Sequence, residues 1–111
     1  MDDNARGKEE TAMKAIKLQE PRQVDCVELE KPVPGPGQAL IRIKTAGICG
    51  SDIGAFRGTN KLVSYPRIIG HELAGILEEV PADNPKGLKP GDKVIVDPYL
   101  YCGKCYPCSI G

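Results

Sequence analysis

Gln38-Ala39-Leu40-Ile41-Arg42-Ile43-Lys44-Thr45-Ala46-Gly47-Ile48-Cys49-Gly50-Ser51-Asp52 is the stretch from which the rest of the chain can be read. Residues 38–46 are rich in β-branched side chains, whose stiff χ1 suits a pleated, half-buried backbone, so a strand is expected there. Gly47 and Gly50 bracket Cys49 and permit a tight turn into a short helix over about Ser51 to Phe56. A thiol, a hydroxyl and a carboxylate therefore fall within four residues, just past a strand.

Outward from this stretch, apolar residues alternate with lysines in Met13-Lys14-Ala15-Ile16-Lys17-Leu18, the mark of a half-buried strand. Val24 to Leu29 repeats the pattern, with Pro21 and Arg22 as a turn between the two. Cys26 is expected as a buried residue of that second strand. Lys31-Pro32-Val33-Pro34-Gly35-Pro36-Gly37 is a loop, Arg57 to Pro66 has no clear period, and Pro81 to Pro90 is a polar, proline-bearing loop. Further strands are expected over Gly75 to Val80 and, after the Gly91-Asp92 turn, over Lys93 to Val96. Residues 1–12 carry no hydrophobic period and read as a disordered leader or an expression remnant, which leaves one domain over 13–111. Short strands between Pro/Gly turns, with almost no helical pattern, make the fold class mainly β, a barrel or sandwich.

The 111 residues suffice for one core. Fifteen basic and 15 acidic side chains cancel, and the positive ones are dispersed, which argues against nucleic acid or an anionic membrane as partner. No apolar run approaches the ~20 residues of a membrane span. The polar amino terminus lacks a signal-peptide core, so a cytoplasmic location is expected, and five cysteines in a reducing compartment bind metal more often than they pair.

Two groups of residues carry chemistry. Cys102-Gly103-Lys104-Cys105-Tyr106-Pro107-Cys108 forms a knuckle able to turn three sulfurs toward one ion. A closed tetrahedral zinc site needs a fourth ligand, from Cys26, from another chain, or from outside these residues. Bacterial ferredoxins use a related spacing, so an iron–sulfur electron-transfer protein is a rival reading. The second group is Cys49 with Gly70-His71-Glu72, which contains the single histidine. Each of these side chains alone is ordinary: a small buried hydrophobe, a core or surface imidazole, an exposed charge. Together, beside glycine-marked turns, they form a donor set of the kind zinc takes at an open site, and the residues alone leave both readings standing.

Gly47-Ile48-Cys49-Gly50-Ser51-Asp52, Pro66-Arg67-Ile68-Ile69-Gly70-His71-Glu72, Gly91-Asp92-Lys93-Val94 and the Cys102, Cys105, Cys108 knuckle, in this order, resemble the zinc-dependent medium-chain alcohol, threonine and polyol (sorbitol-like) dehydrogenases. The resemblance runs from about Met13 to Gly111 and covers the amino-terminal catalytic domain of such enzymes. It implies a GroES-like β-barrel with short helices and a cysteine-rich structural-zinc lobe near the C-terminal end. It also implies one catalytic and one structural zinc. Cys49 and His71 would be ligands of the catalytic ion, with Glu72 in or just behind its ligand set. Asp52 would accept a hydrogen bond from the other nitrogen of His71, and Ser51 would touch the substrate oxygen and pass its proton toward solvent. Cys102, Cys105 and Cys108 would hold the structural ion.

The implied reaction is oxidation of a small alcohol or polyol to an aldehyde or ketone, with hydride transfer to NAD(P), in a homo-oligomer. Three departures qualify the resemblance. Gly54 stands where many relatives have a relay histidine. The third catalytic ligand and the fourth structural cysteine would lie beyond residue 111. No Gly-x-Gly-x-x-Gly follows a strand, so the nucleotide-binding domain is not among these residues and the chain alone is expected to be inactive. Ile53 and Phe56 are open between pocket lining and barrel packing. A non-catalytic zinc-binding β-barrel module is the alternative from another class.

Overall fold

The computed structural model describes residues 12–111; the leader expected over 1–12 lies, except for Ala12, outside the described residues. The chain runs β1 (Ala12–Glu20), β2 (Gln23–Glu30), β3 (Leu40–Gly47), α1 (Gly50–Arg57), β4 (Arg67–Ile68), β5 (Glu72–Glu79), β6 (Lys93–Ile95) and α2 (Tyr106–Ile110). The strands form two three-stranded antiparallel sheets, ordered β2-β1-β4 and β3-β5-β6. Among the described residues, no helix is long and apolar enough to cross a membrane.

The expected strands are all present, and the helix expected from Ser51 to Phe56 is α1. Two elements were not expected. β4 has only two residues and is held as a strand by pairing with Lys17 and Leu18 of β1. α2 follows the cysteine knuckle, with Cys105 as its N-cap and Pro107 in its first turn, where the missing N–H costs nothing. β5 also begins earlier than expected, at Glu72.

The β1–β2 turn docks on the end of α1. Arg22, at φ 68°, donates its N–H to the Phe56 carbonyl at 2.7 Å. Gly58 closes the helix in the left-handed conformation at φ 75°, and a Cβ there would lie 2.8 Å from Pro21. The Tyr65 hydroxyl donates to the Ala55 carbonyl on the same helix.

The register of β3 on β5 places the site. Gly47 pairs with Glu72 at one end, and Ile43 with Gly75 in the middle, where a bulge skips Lys44. A Cβ on Gly75 would come within 2.3 Å of the Arg42 carbonyl oxygen, so glycine is required for that close approach. Glu78 bridges Lys31 at 2.8 Å and also pairs with Arg42 across the ladder. Its carboxyl is held below the usual range by the Lys31 hydrogen bond first, against burial, and then by the Arg42 charge.

Leu18, Leu40, Ala55 and Leu77 are the buried apolar residues among those described. The alternation in β1 was expected to bury one face, yet only Leu18 is fully inside, while Met13 and Ile16 are exposed. Cys26 pairs with Ile16 and shares its exposed face, which corrects the expectation of a buried cysteine. β2 is an edge strand, and among its apolar residues Val24 and Leu29 are exposed with Cys26 while Val27 is half-buried.

Candidate functional site

Antiparallel pairing of Gly47 with Glu72 brings the segment leaving β3 beside the segment entering β5. Cys49 stands two residues past Gly47 and His71 one residue before Glu72, so the ladder brings thiol and imidazole to the same end of the sheet. His71 also lies where the chain passes from the first sheet (β4) to the second (β5), next to Gly70 at φ 114°.

Cys49 is the N-cap of α1, in extended conformation. Its Sγ accepts the Ser51 N–H at 3.5 Å, and the Asp52 carboxylate accepts the Cys49 N–H at 2.9 Å. This reciprocal arrangement satisfies orphan donors at the start of the helix and places the negative charge of Asp52 in its first turn. Asp52 is the one buried charged residue among those described. Its second oxygen, Oδ1, lies 3.5 Å from His71 Nδ1. His71 Nε2 is thereby directed to the other side, where the Ser51 hydroxyl lies 3.5 Å away and itself sits 3.3 Å from Cys49 Sγ.

The ligand atoms of Cys49, His71 and Glu72 all fall within 4.8 Å of one another. A tetrahedral zinc with Zn–S near 2.3 Å and Zn–N near 2.0 Å sets its ligands roughly 3.5 Å apart, so small side-chain rotations suffice and the three residues fit the ion. The electrostatics favour the thiolate at Cys49 and the protonated ring at His71, which gives up that proton to ligate a metal. The Cys49 thiol is pulled below its ordinary range by hydrogen bonds from the Ser51 hydroxyl, the Ser51 backbone and His71, against burial and the Glu72 charge. His71 is raised, first by its hydrogen bond with Cys49, against burial, and then by Asp52. A thiolate is the form that binds metal.

A groove of about 480 Å³ opens on this cluster, lined also by Thr45, Leu73, Ile95, Pro98 and Tyr99. Sequence reasoning missed these residues; they come from β3, β5, β6 and the segment after it, and only the three-dimensional pairing joins them. A smaller hollow of about 260 Å³ lies on the Ser51 and Asp52 side and reaches Asn60 and Arg67. Ile53 and Phe56 line neither. A hollow of about 660 Å³ between the end of β2 and Glu79 exceeds both in volume, yet neither donor cluster found among the described residues lines it, so donor chemistry rather than volume locates the site.

The knuckle is a separate, exposed cluster. The ligand sulfurs of Cys102, Cys105 and Cys108 also lie within 4.8 Å of one another, with Cys105 and Cys108 3.4 Å apart. Gly103, at φ 72°, turns the loop so that the N–H groups of Lys104 and Cys105 point at Cys102 Sγ, at 3.4 and 3.3 Å. Those donors lower the Cys102 thiol to about 7. The three sulfurs fit one zinc, and the described residues include no fourth donor in the cluster. Cys26, weighed as that donor, is not part of it.

Residues 35–111 match the family model described as the alcohol dehydrogenase GroES-like domain. An uncharacterised zinc-type alcohol dehydrogenase-like protein of Haemophilus influenzae is 52% identical over 99 residues, which is 89% of this chain and 29% of that protein. The L-galactonate-5-dehydrogenase of Escherichia coli is 40% identical over 101 residues, covering 91% of this chain and 29% of the relative. Among solved structures, the alcohol dehydrogenase rspB of Escherichia coli CFT073 with NADH superposes with a TM-score of 0.78 at 43% identity, over 90% of this chain and 28% of that one. The chain thus spans less than a third of the length of these relatives.

Proposed function

The chain belongs to the alcohol dehydrogenase GroES-like domain family, and from that premise we propose that it is the catalytic domain, residues 13–111, of a zinc-dependent dehydrogenase oxidising an alcohol or polyol with NAD(P). The observation that carries this reading is the convergence of Cys49, His71 and Glu72, whose ligand atoms lie within 4.8 Å of one another beside an open groove. The mainly-β fold is the GroES-like one of its structural relatives.

Cys49 and His71 would hold the catalytic zinc, with Glu72 at or next to it, and the knuckle cysteines would hold a structural one. Zinc bound at the first site supplies Lewis acidity, lowering the pKa of a substrate hydroxyl by several units. Asp52 keeps the proton of His71 on Nδ1, so that Nε2 presents its lone pair to the ion. Ser51 Oγ, between the imidazole and the thiolate, is placed to accept the hydroxyl proton and pass it toward solvent. With Gly54 in place of a relay histidine, the path runs from Ser51 through water. NAD(P), when bound, would supply the acceptor for the carbon-bound hydrogen as hydride. The balance is alcohol plus NAD(P)⁺ giving carbonyl, NAD(P)H and one proton. A polyol substrate is supported by the named activity of the galactonate relative. A cytoplasmic location and a homo-oligomer, without nucleic acid or membrane as partner, complete the reading.

The test is elemental analysis and NAD(P)-coupled oxidation of an alcohol and polyol panel by the full-length protein, with and without Cys49→Ala. The proposal expects loss of activity together with one of two zinc equivalents. Unchanged zinc content and unchanged alcohol oxidation in the variant overturn it. A module with metal only at the knuckle would bind no ion that depends on His71.

A further inference from the structure

Gly47 ends β3 opposite Glu72, and it has no positive φ, so its backbone conformation is open to any residue. The need for glycine is therefore spatial. A Cβ built there would sit 2.5 Å from Glu72 Oε2, 3.1 Å from its Cβ and 3.6 Å from its Cδ. The carboxylate of Glu72 thus lies folded over the strand end in the volume that a side chain at position 47 would fill.

From this packing we infer that Gly47 is a positioning residue of the Cys49–His71–Glu72 centre: its missing side chain is the space in which the Glu72 carboxylate reaches the other two donors. The inference rests on the metal-centre reading above and adds a residue to it. A methyl group at position 47 meets the Glu72 carboxylate oxygen, which can swing away by side-chain rotation, and the Glu72 Cβ at 3.1 Å, which needs the strand end to yield by only a few tenths of an ångström. Stability then changes less than the donor set. Gly75 provides the internal contrast, because a Cβ there meets the Arg42 backbone oxygen, which cannot step aside.

The experiment is a double-mutant cycle on the full-length protein between Gly47→Ala and Glu72→Ala, read by Co²⁺ and Zn²⁺ affinity in chelator competition, by the Co²⁺ ligand-field spectrum and by the melting temperature of the metal-free protein. The inference expects Gly47→Ala to weaken metal binding about 10-fold or more, the scale for groups that orient ligands, and to alter the Co²⁺ spectrum, with the melting temperature within a few degrees of the parent. In the Glu72→Ala background the same methyl group is expected to have almost no further effect on affinity. An equal loss of affinity in both backgrounds, or an unchanged spectrum and affinity after Gly47→Ala alone, overturns it. A protein whose Co²⁺ binding is indifferent to His71→Ala overturns the metal-centre reading as well, so the two failures are distinguishable. Should Gly47→Ala fold poorly, Glu72→Asp supplies the second arm: shortening the carboxylate away from Gly47 is expected to reproduce the spectral change with glycine retained, and an unaltered spectrum there counts against the inference.

Discussion

The two candidate metal clusters have similar internal spacing and opposite construction. Cys49 and Glu72 come together only because β3 and β5 pair in a particular register, and a one-residue slip would turn the Glu72 side chain to the other face. The knuckle draws all three sulfurs from Cys102 to Cys108 and needs only the Gly103 turn and the start of α2. The first cluster opens onto a groove of about 480 Å³ and is backed by a buried carboxylate; the second is exposed and backed by backbone N–H groups. A site whose ligands are set by long-range pairing can be tuned by neighbours from several strands, as reactive sites require. A site made from one loop serves as a clip. The proposed split, reactivity at the first cluster and holding at the second, rests on this difference.

The largest effect that would break this contrast concerns independence. In the full-length protein, His71→Ala is expected to abolish alcohol oxidation and remove one zinc while leaving the knuckle's ion bound. Elemental analysis beside a turnover assay checks this, and simultaneous loss of both ions would show that the clusters are not separate units. Next comes Asp52→Ala, expected to weaken metal binding at the first cluster about 10- to 100-fold, as for other partners that orient a ligating imidazole. The same change removes a cap contact of about 1 kcal/mol, visible in urea unfolding. Equal weakening of the knuckle's ion would count against the asymmetry.

Gly75→Ala sharpens the comparison from the side of the fold. Its methyl group meets backbone, so about 1–3 kcal/mol of destabilisation is expected, with loosened metal at the first cluster and none at the knuckle. The smallest effect is a pH dependence. Glu78 has a depressed carboxyl, so its contribution to stability is present above the ordinary value of 4.5 and is lost as pH falls through the lower folded-state value. Because Lys31 and Arg42 remain open to water, the contribution is no more than about 1 kcal/mol. Glu78→Gln is expected to flatten that part of the acid unfolding curve, measured by denaturant midpoints across pH 3 to 6, and a curve as steep as the parent's would rule the contribution out.

Much of the fold was legible because β-branched runs and Pro/Gly turns act locally: β1, β2, β3, α1 and β6 lie within a few residues of their expected limits. β4 was not, since two residues carry no period and become a strand only through Leu18 and Lys17. The early start of β5 was hidden by Gly70, whose turn signal gives no sign that pairing with Gly47 begins two residues later. Cys26 misled for a similar reason: strand parity cannot say which face of an edge strand is covered. At the site, the donor types of Cys49, His71 and Glu72 were readable from chemistry, and the role of Asp52 only through the family resemblance. The groove residues Thr45, Ile95 and Tyr99 carried no signal, because lining a cavity depends on where separate strands end in space.

Asp52 divides its two oxygens between the Cys49 amide and the His71 ring. Whatever changes the imidazole therefore tugs on the first turn of α1 through a single carboxylate. Solvent exchange of the Cys49 amide hydrogen becomes a gauge of the centre's occupancy, legible by NMR in a protein whose reaction is switched off.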